Sequence, residues 1–172
     1  LSAKTLSIGV IGTGVVGSTL LKQMEAQQNR LKSRFNIDLR IRAIAKSDRM
    51  VLAKSQVVLR NWEGELFSNG QATDLGVFEG HVCADHLPHA VIIDCTADQL
   101  IADQYSGWLR RGIHIVTPNK KAFSGSQASY EELNTSAIRG ASHYLYETTV
   151  GASLPIIKTV RDLIDTGDRV HS

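Results

Sequence analysis

Apolar positions fall into two kinds of stretch along the chain: short dense runs, and longer segments in which they return every three or four residues. Leu6 to Ile11 is a dense run, which predicts a buried strand. From Val15 to about Arg34 the rhythm changes. Val16, Leu20, Leu21, Met24 and Leu31 recur at helical spacing and "QQNRLKSR" forms a polar end, so a helix follows. In "IDLRIRAIA", residues 37–45, Leu39, Ile41 and Ala43 alternate with Arg40 and Arg42 as in a second strand. Residues 46–73, with "NWEGELFSNGQ" and the turn pair Asn69-Gly70, read as irregular. A helix is predicted from Asp74 to about His86, and a third strand over Ala90–Cys95. A further helix starts at Thr96-Ala97-Asp98-Gln99 and runs through "LIADQYSGWLRR" to a stop at Gly112. "IHIVTPN" predicts a fourth strand closed by Pro118. "SQASYEELNTSAIRG" predicts a polar, capped helix ending at Gly140, and "HYLYETTV" a fifth strand. The last element is an amphipathic helix, "SLPIIKTVRDLIDTG", with Pro155 in its first turn and Gly167 beyond its end.

Strands alternate with helices, and most of the strands are continuous apolar runs. That pattern predicts a doubly wound α/β domain, a parallel sheet covered on both faces. Ligands of such a domain bind beyond the carboxyl ends of its strands. The segments at those ends therefore carry the candidate chemistry.

The first is "IGVIGTGVVGS", residues 8–18. Gly12, Gly14 and Gly17 have G-x-G-x-x-G spacing, with a predicted strand before and a helix after, the context a dinucleotide-phosphate loop requires. Gly12 permits the tight turn, Gly14 lets backbone approach a pyrophosphate, and Gly17 lets the helix pack closely. The free N–H groups of Thr13, Val15 and Val16 lie at the positive end of the helix. After the second strand, an acidic residue would bond both ribose hydroxyls and select NAD. Here the segment is Ala45-Lys46-Ser47-Asp48-Arg49. Lys46 and Arg49 suit a 2′-phosphate, to which Ser47 can donate, so NADP is the expected cofactor. Asp48 keeps NAD open as the alternative.

"DCTAD", residues 94–98, puts Thr96 at the edge of the same crevice. Cys95 invites a nucleophile reading, but a thiol within a buried strand is ordinarily core. "TPNKKA", residues 117–122, brings Asn119, Lys120 and Lys121 to the edge, where one lysine can hold a carboxylate or move a proton and a solvated pair is the alternative. In "YETTVGASLP", residues 146–155, Glu147 and nearby carbonyls suit an oxygen-rich cation site, against an ordinary connection capped by Ser153.

Composition narrows the partners. The 172 residues suffice for one sizeable core, and a net charge of +2 with scattered Lys and Arg gives no nucleic-acid footprint. No apolar run is long enough for a membrane span, and no signal segment opens the chain. Cys83 and Cys95 lack metal or redox spacing, so a reducing compartment is expected. The start at Leu1 and the end at "GDRVHS" read as those of a piece of a longer polypeptide.

The ordered series "GVIGTGVVG", "VIIDCTAD", "ADQY", "GIHIVTPNKKA", "YETTVGASLPII" and "DLIDTGD" resembles the homoserine dehydrogenase family over nearly the whole chain. "QQNRLKSRFNIDLRI" is most similar to the form fused behind an aspartate kinase. The resemblance implies a Rossmann-type NAD(P)-binding domain over residues 1–147 and, over 148–172, only the start of the catalytic and dimerisation domain. It implies reversible reduction of L-aspartate 4-semialdehyde to L-homoserine with NAD(P)H, on the way to threonine, methionine and isoleucine. It assigns residues 12–17 to the pyrophosphate, Thr96 to the cofactor, and Lys120 to the active site beside the cofactor. A monovalent cation such as Na+ would take a side-chain oxygen of Glu147 and carbonyls of Val150, Ala152 and Leu154, although Ser153 stands where the family often has glycine. The family's acidic substrate-binding segment and second lysine have no match here, so this piece is expected to bind cofactor and to turn over poorly. A fused kinase, a homo-oligomeric whole enzyme and a cytoplasmic location (plastid for a plant-like source) are further expectations. Two other readings remain: an aspartate-semialdehyde dehydrogenase-like enzyme using Cys95, and a non-catalytic NAD(P)-sensing module.

Overall fold

The dense apolar runs become the middle of one sheet. The computed structural model describes residues 3–123 and 126–147. Its strands are β1 (Lys4–Ile11), β2 (Ile37–Ala45), β3 (Arg49–Leu52), β4 (Gln71–Ala72), β5 (His89–Asp94), β6 (His114–Val116) and β7 (Tyr144–Leu145). Its helices are α1 (Val15–Phe35), α2 (Trp62–Asn69), α3 (Leu75–Val82), α4 (Gln99–Ala102), α5 (Tyr105–Arg110) and α6 (Gln127–Arg139), with 3₁₀ turns at Leu59–Asn61 and Lys120–Phe123. The sheet order is β4-β3-β2-β1-β5-β6-β7. The pairs among β2, β1, β5, β6 and β7 are parallel, while β2–β3 and β3–β4 are antiparallel.

The doubly wound α/β expectation holds, because side chains alternate between two apolar layers. Ile8 and Val10 of β1 join Leu21 and Met24 of α1 and Trp62 and Leu66 of α2 on one face. Ile92 of β5 joins Phe78 of α3, Trp108 of α5 and Leu133 of α6 on the other. Among the described residues, no helix is long and apolar enough to cross a membrane.

Three expectations change. Residues 46–73 are not irregular: they hold a hairpin strand, a helix and a two-residue edge strand. The helix predicted after the third strand is two short helices, and the first is capped by Asp98, whose side chain accepts the Leu100 N–H. The alternation read along the second strand breaks at Arg42. The β1–β2 register shifts after Ile8, so Arg42 and Ala43 turn to the same side, and Arg42 is buried. Its guanidinium donates to the Lys54 and His81 carbonyls and to Ser7 Oγ, while Ser7 Oγ donates to the Val82 carbonyl. A buried cation thus donates to the His81 carbonyl at the C-terminal end of α3, while Ser7 takes the Val82 carbonyl. The helix predicted after residue 150 lies outside the described residues.

At the opposite edge from the glycine turn, the starts of β5 and β6 and the approach to β7 gather His89, His114 and His143. The rings of His114 and His143 stack at 5.2 Å, and His114 Nδ1 accepts the His143 N–H at 3.0 Å. Burial, then the neighbouring His143 and His89, hold His114 below its ordinary value of 6.5. The unfolded chain therefore takes up this proton first, and stability present above that value is lost as pH falls through and below it. Thermal melts between pH 7.5 and 5.5 are expected to show falling stability, and His114→Phe should flatten that slope. An unchanged slope removes His114 as its source.

Candidate functional site

The chain leaves β1 at Ile11 and turns at Gly12, whose φ of +86° lies in the left-handed region that favours glycine. Main-chain bonds hold the turn from both sides: the Gly12 N–H donates to the Ala45 carbonyl (2.9 Å), and the Cys95 N–H to that of Ile11 (2.8 Å). Helix α1 begins at once with Gly14 as its cap. Among the described residues no side chain caps its first-turn amides, and that turn carries no acidic residue. Twenty-one helical residues thus present bare N–H groups and the positive end of a dipole to the sheet edge. A Cβ at Gly17 would drive into the Gly12 carbonyl oxygen, so the loop closes only over glycine; at Gly14 nothing lies within 4 Å of that position.

The end of β2 shapes the next wall. The Lys46 N–H donates to the Arg49 carbonyl at 2.7 Å, leaving Ser47-Asp48 as a two-residue turn into β3. Thr73 braces it: Oγ1 donates to the Lys46 carbonyl (2.8 Å) and the N–H to that of Asp48 (3.3 Å). Lys46 and Ser47 are exposed. Arg49 is half-buried, and its Nη2 donates to the Phe67 (3.2 Å) and Gly70 (3.0 Å) carbonyls at the end of α2.

Two adjoining clefts result. The larger, about 550 Å³, has Gly12, Thr13 and Gly14 on one side and Lys46, Ser47 and Arg49 beside them. Its far wall is α2, which contributes Trp62, Glu63, Leu66 and Phe67. The smaller, about 390 Å³, shares Gly12, Lys46 and Ser47 and continues between Leu75 and the segment holding Thr96, Asp98 and Leu100. Ala45 is buried and acts through its carbonyl, while Asp48 lines neither cleft. The α2 wall is absent from the sequence reading, although Trp62 and Leu66 stand at i, i+4 spacing.

Comparison with known proteins settles the kinship. The model of the homoserine dehydrogenase NAD-binding domain matches residues 12–147. The chain belongs to the homoserine dehydrogenase family. It is 46% identical over 171 residues to the chloroplastic bifunctional aspartokinase/homoserine dehydrogenase 2 of Arabidopsis thaliana, covering 99% of this chain but 19% of that protein. A Candida auris protein of unknown function superposes with a TM-score of 0.80 at 32% identity, over 99% of this chain and 46% of that one. A hyperthermophilic archaeal homoserine dehydrogenase in complex with NADPH has the same fold, with a TM-score of 0.72 at 21% identity, over 92% of this chain and 48% of that one. The chain thus spans about a fifth of its curated bifunctional relative.

The other residues that the homoserine dehydrogenase resemblance singles out sit differently. Val15 and Val16 are exposed at the start of α1, where their amides rather than their side chains face the turn's open end. Lys120 is exposed at the start of the 3₁₀ turn and lines neither cleft. Glu147 is half-buried; Val150, Ala152 and Leu154 lie outside the described residues. Among the described residues no three His, Cys, Asp or Glu side chains gather as metal ligands. Burial, then the charge of Asp94, pushes the Cys95 thiol up to about 11, so little thiolate exists near neutrality. That is the wrong state for the nucleophile of the alternative enzyme reading.

Proposed function

We propose that this chain is the NADP(H)-binding part of a homoserine dehydrogenase that interconverts L-aspartate 4-semialdehyde and L-homoserine. The bare N-terminus of α1 beside Lys46 in one cleft is the observation that carries this reading. The residues fit the cofactor: first-turn amides that no described side chain caps for a pyrophosphate, and an exposed cation for a 2′-phosphate. When bound, the cofactor supplies the hydride for aldehyde reduction or accepts it in the reverse direction.

The chain's own groups then divide the work. Amides of Thr13, Gly14, Val15, Val16 and Gly17 hold the pyrophosphate, with Gly12 making the turn that aims them. Lys46 pairs with the 2′-phosphate and Ser47 donates to it. Arg49 adds charge while holding the end of α2 through the Phe67 and Gly70 carbonyls. Ala45 fixes the turn through its carbonyl, and Thr96 meets the cofactor from the other side. Lys120 takes a supporting catalytic role, bringing positive charge and a proton to the alkoxide oxygen that develops on reduction. Glu147 with carbonyls of Val150, Ala152 and Leu154 holds a monovalent cation such as Na+. Residues 1–147 form the cofactor domain, and 148–172 open the catalytic and dimerisation domain. The whole protein is a homo-oligomer with an aspartate kinase fused N-terminally. It works in the plastid if its source is plant-like and in the cytoplasm otherwise.

Titration with NADPH and NADH tests this. Trp62 in the cleft wall reports binding by quenching, while Trp108 is buried in the other layer as background. NADPH should bind saturably and more tightly than NADH. Lys46→Ala should weaken NADPH about tenfold and NADH less than about twofold, since about 1.4 kcal/mol of phosphate pairing is lost. Equal weakening would remove Lys46 from phosphate recognition, and no saturable binding of either nucleotide would sink the reading.

A further inference from the structure

The carboxylate at the end of β5 does more than raise the neighbouring Cys95 thiol. Asp94 has no measurable exposure, and no lysine, arginine or histidine pairs with it among the described residues. Its Oδ1 accepts the Thr96 N–H (2.7 Å). Its Oδ2 accepts both the Tyr105 O–H (2.5 Å) and an N–H of the Asn119 amide (3.0 Å). Its own carbonyl accepts the Thr117 hydroxyl at 2.9 Å. The bonds continue outward from there. Asn119 donates its side-chain amide to the Asp98 carbonyl (3.0 Å) and its main-chain N–H to Thr117 Oγ1 (2.8 Å), and its Oδ1 accepts the Lys121 N–H (3.0 Å).

Two loops that are distant in sequence are therefore tied to one side chain. One follows β5 and carries Thr96; the other follows β6 and carries Lys120, whose neighbours on both sides have their amides fixed. Burying a carboxylate against neutral donors costs stability that an apolar residue in the same volume would not. Such a group is worth its burial where loop geometry must be set before a ligand arrives.

We propose that Asp94 is a positioning residue, held by Tyr105, that clamps the 117–121 loop to the end of β5 and so presets Lys120 on the nicotinamide side of the crevice. This rests on the cofactor reading above. With the 2′-phosphate at Lys46 and the pyrophosphate at the start of α1, the nicotinamide half lies toward β5 and β6, where this clamp sits.

Hydrogen exchange and ligand binding together test it on this chain. Tyr105→Phe removes one O–H from a buried ring and keeps its shape; Asp94→Asn removes the charge. Both variants should speed exchange in residues 95–98 and 117–121 while β1 and β2 stay protected. Tyr105→Phe removes no direct bond to Thr96 but loosens the Asp94 side chain that makes that bond. It should weaken NADPH about fivefold and adenosine 2′,5′-bisphosphate, which lacks the nicotinamide half, less than about twofold. Should Asp94→Asn fail to fold, Tyr105→Phe carries the test alone. Exchange confined to one loop, or equal weakening of both ligands, reduces Asp94 to a structural role and overturns the proposal, as does no change at all. If the parent chain binds neither ligand, the cofactor reading fails and the positioning role goes with it. In that case the exchange data still report whether the two loops are linked.

Discussion

Gly17→Ala is expected to leave no saturable NADPH binding at concentrations a hundred times those that saturate the parent, and to lower the melting temperature by more than about 5 °C. The added methyl meets the Gly12 carbonyl oxygen, a backbone atom that has no rotamer to escape into. Either the turn or the first turn of α1 must move, and the main-chain bonds from Gly12 to Ala45 and from Cys95 to Ile11 are strained with it. Gly14→Ala provides the contrast. Nothing stands within 4 Å of its Cβ, and its backbone (φ −66°, ψ −161°) is open to any residue. The variant should fold with a loss below about 1 kcal/mol, the ordinary cost of alanine at a helix cap. It should still lose affinity, because the methyl fills the space through which a pyrophosphate approaches the amides. A thermal melt and a nucleotide titration on each variant suffice. If Gly14→Ala were the less stable of the two, the account of this turn would be wrong.

Phe78→Ala should strongly destabilise the layer that supports the crevice from below. The ring is fully buried and lies over Gly9 of β1, where it joins α3 to the centre of the sheet. Removing it costs about 3–5 kcal/mol, through lost burial and the cavity left behind. In a chain of this size that lowers the melting temperature by about 6–20 °C. Phe78→Leu, which keeps most of the volume, should recover more than half of the loss in urea or thermal unfolding. A loss below about 1 kcal/mol for the alanine variant would mean that α3 is not packed as described.

What the sequence discloses depends on the range of the forces involved. Strands β1 and β5 are legible as dense, mostly apolar runs, and β2 by its alternation of apolar and charged residues; β2 appears with the bounds read from its residues, 37–45. The glycine turn is legible because its chemistry is local: strand, three glycines and helix occupy consecutive positions. The segment 46–73 is not, because Gly64, Asn69 and Gly70 look like breakers. Helix α2 nonetheless persists by burying Trp62 and Leu66 against α1's side of the sheet. Arg42 is hidden for a different reason. Its alternation with Ile41 and Ala43 suggests an outward face, and only the register shift against β1 turns it inward. The cluster at Asp94 joins residues up to 25 positions apart, and no periodicity marks such a contact. The homoserine dehydrogenase kinship was legible as an ordered series of segments, each weak alone.

The hairpin from β2 to β3 has a consequence for redesign. Its closing bond runs between the main-chain N–H of Lys46 and the main-chain carbonyl of Arg49, and Thr73 braces the turn through the carbonyls of Lys46 and Asp48. None of these contacts consults a side chain at positions 46, 47 or 48. Those three residues can be exchanged as a cassette while the backbone that displays them stays in register. On the proposed reading, in which Lys46 and Ser47 meet the 2′-phosphate, coenzyme choice at these positions is separable from architecture, whereas Arg49, which also holds the end of α2, is not.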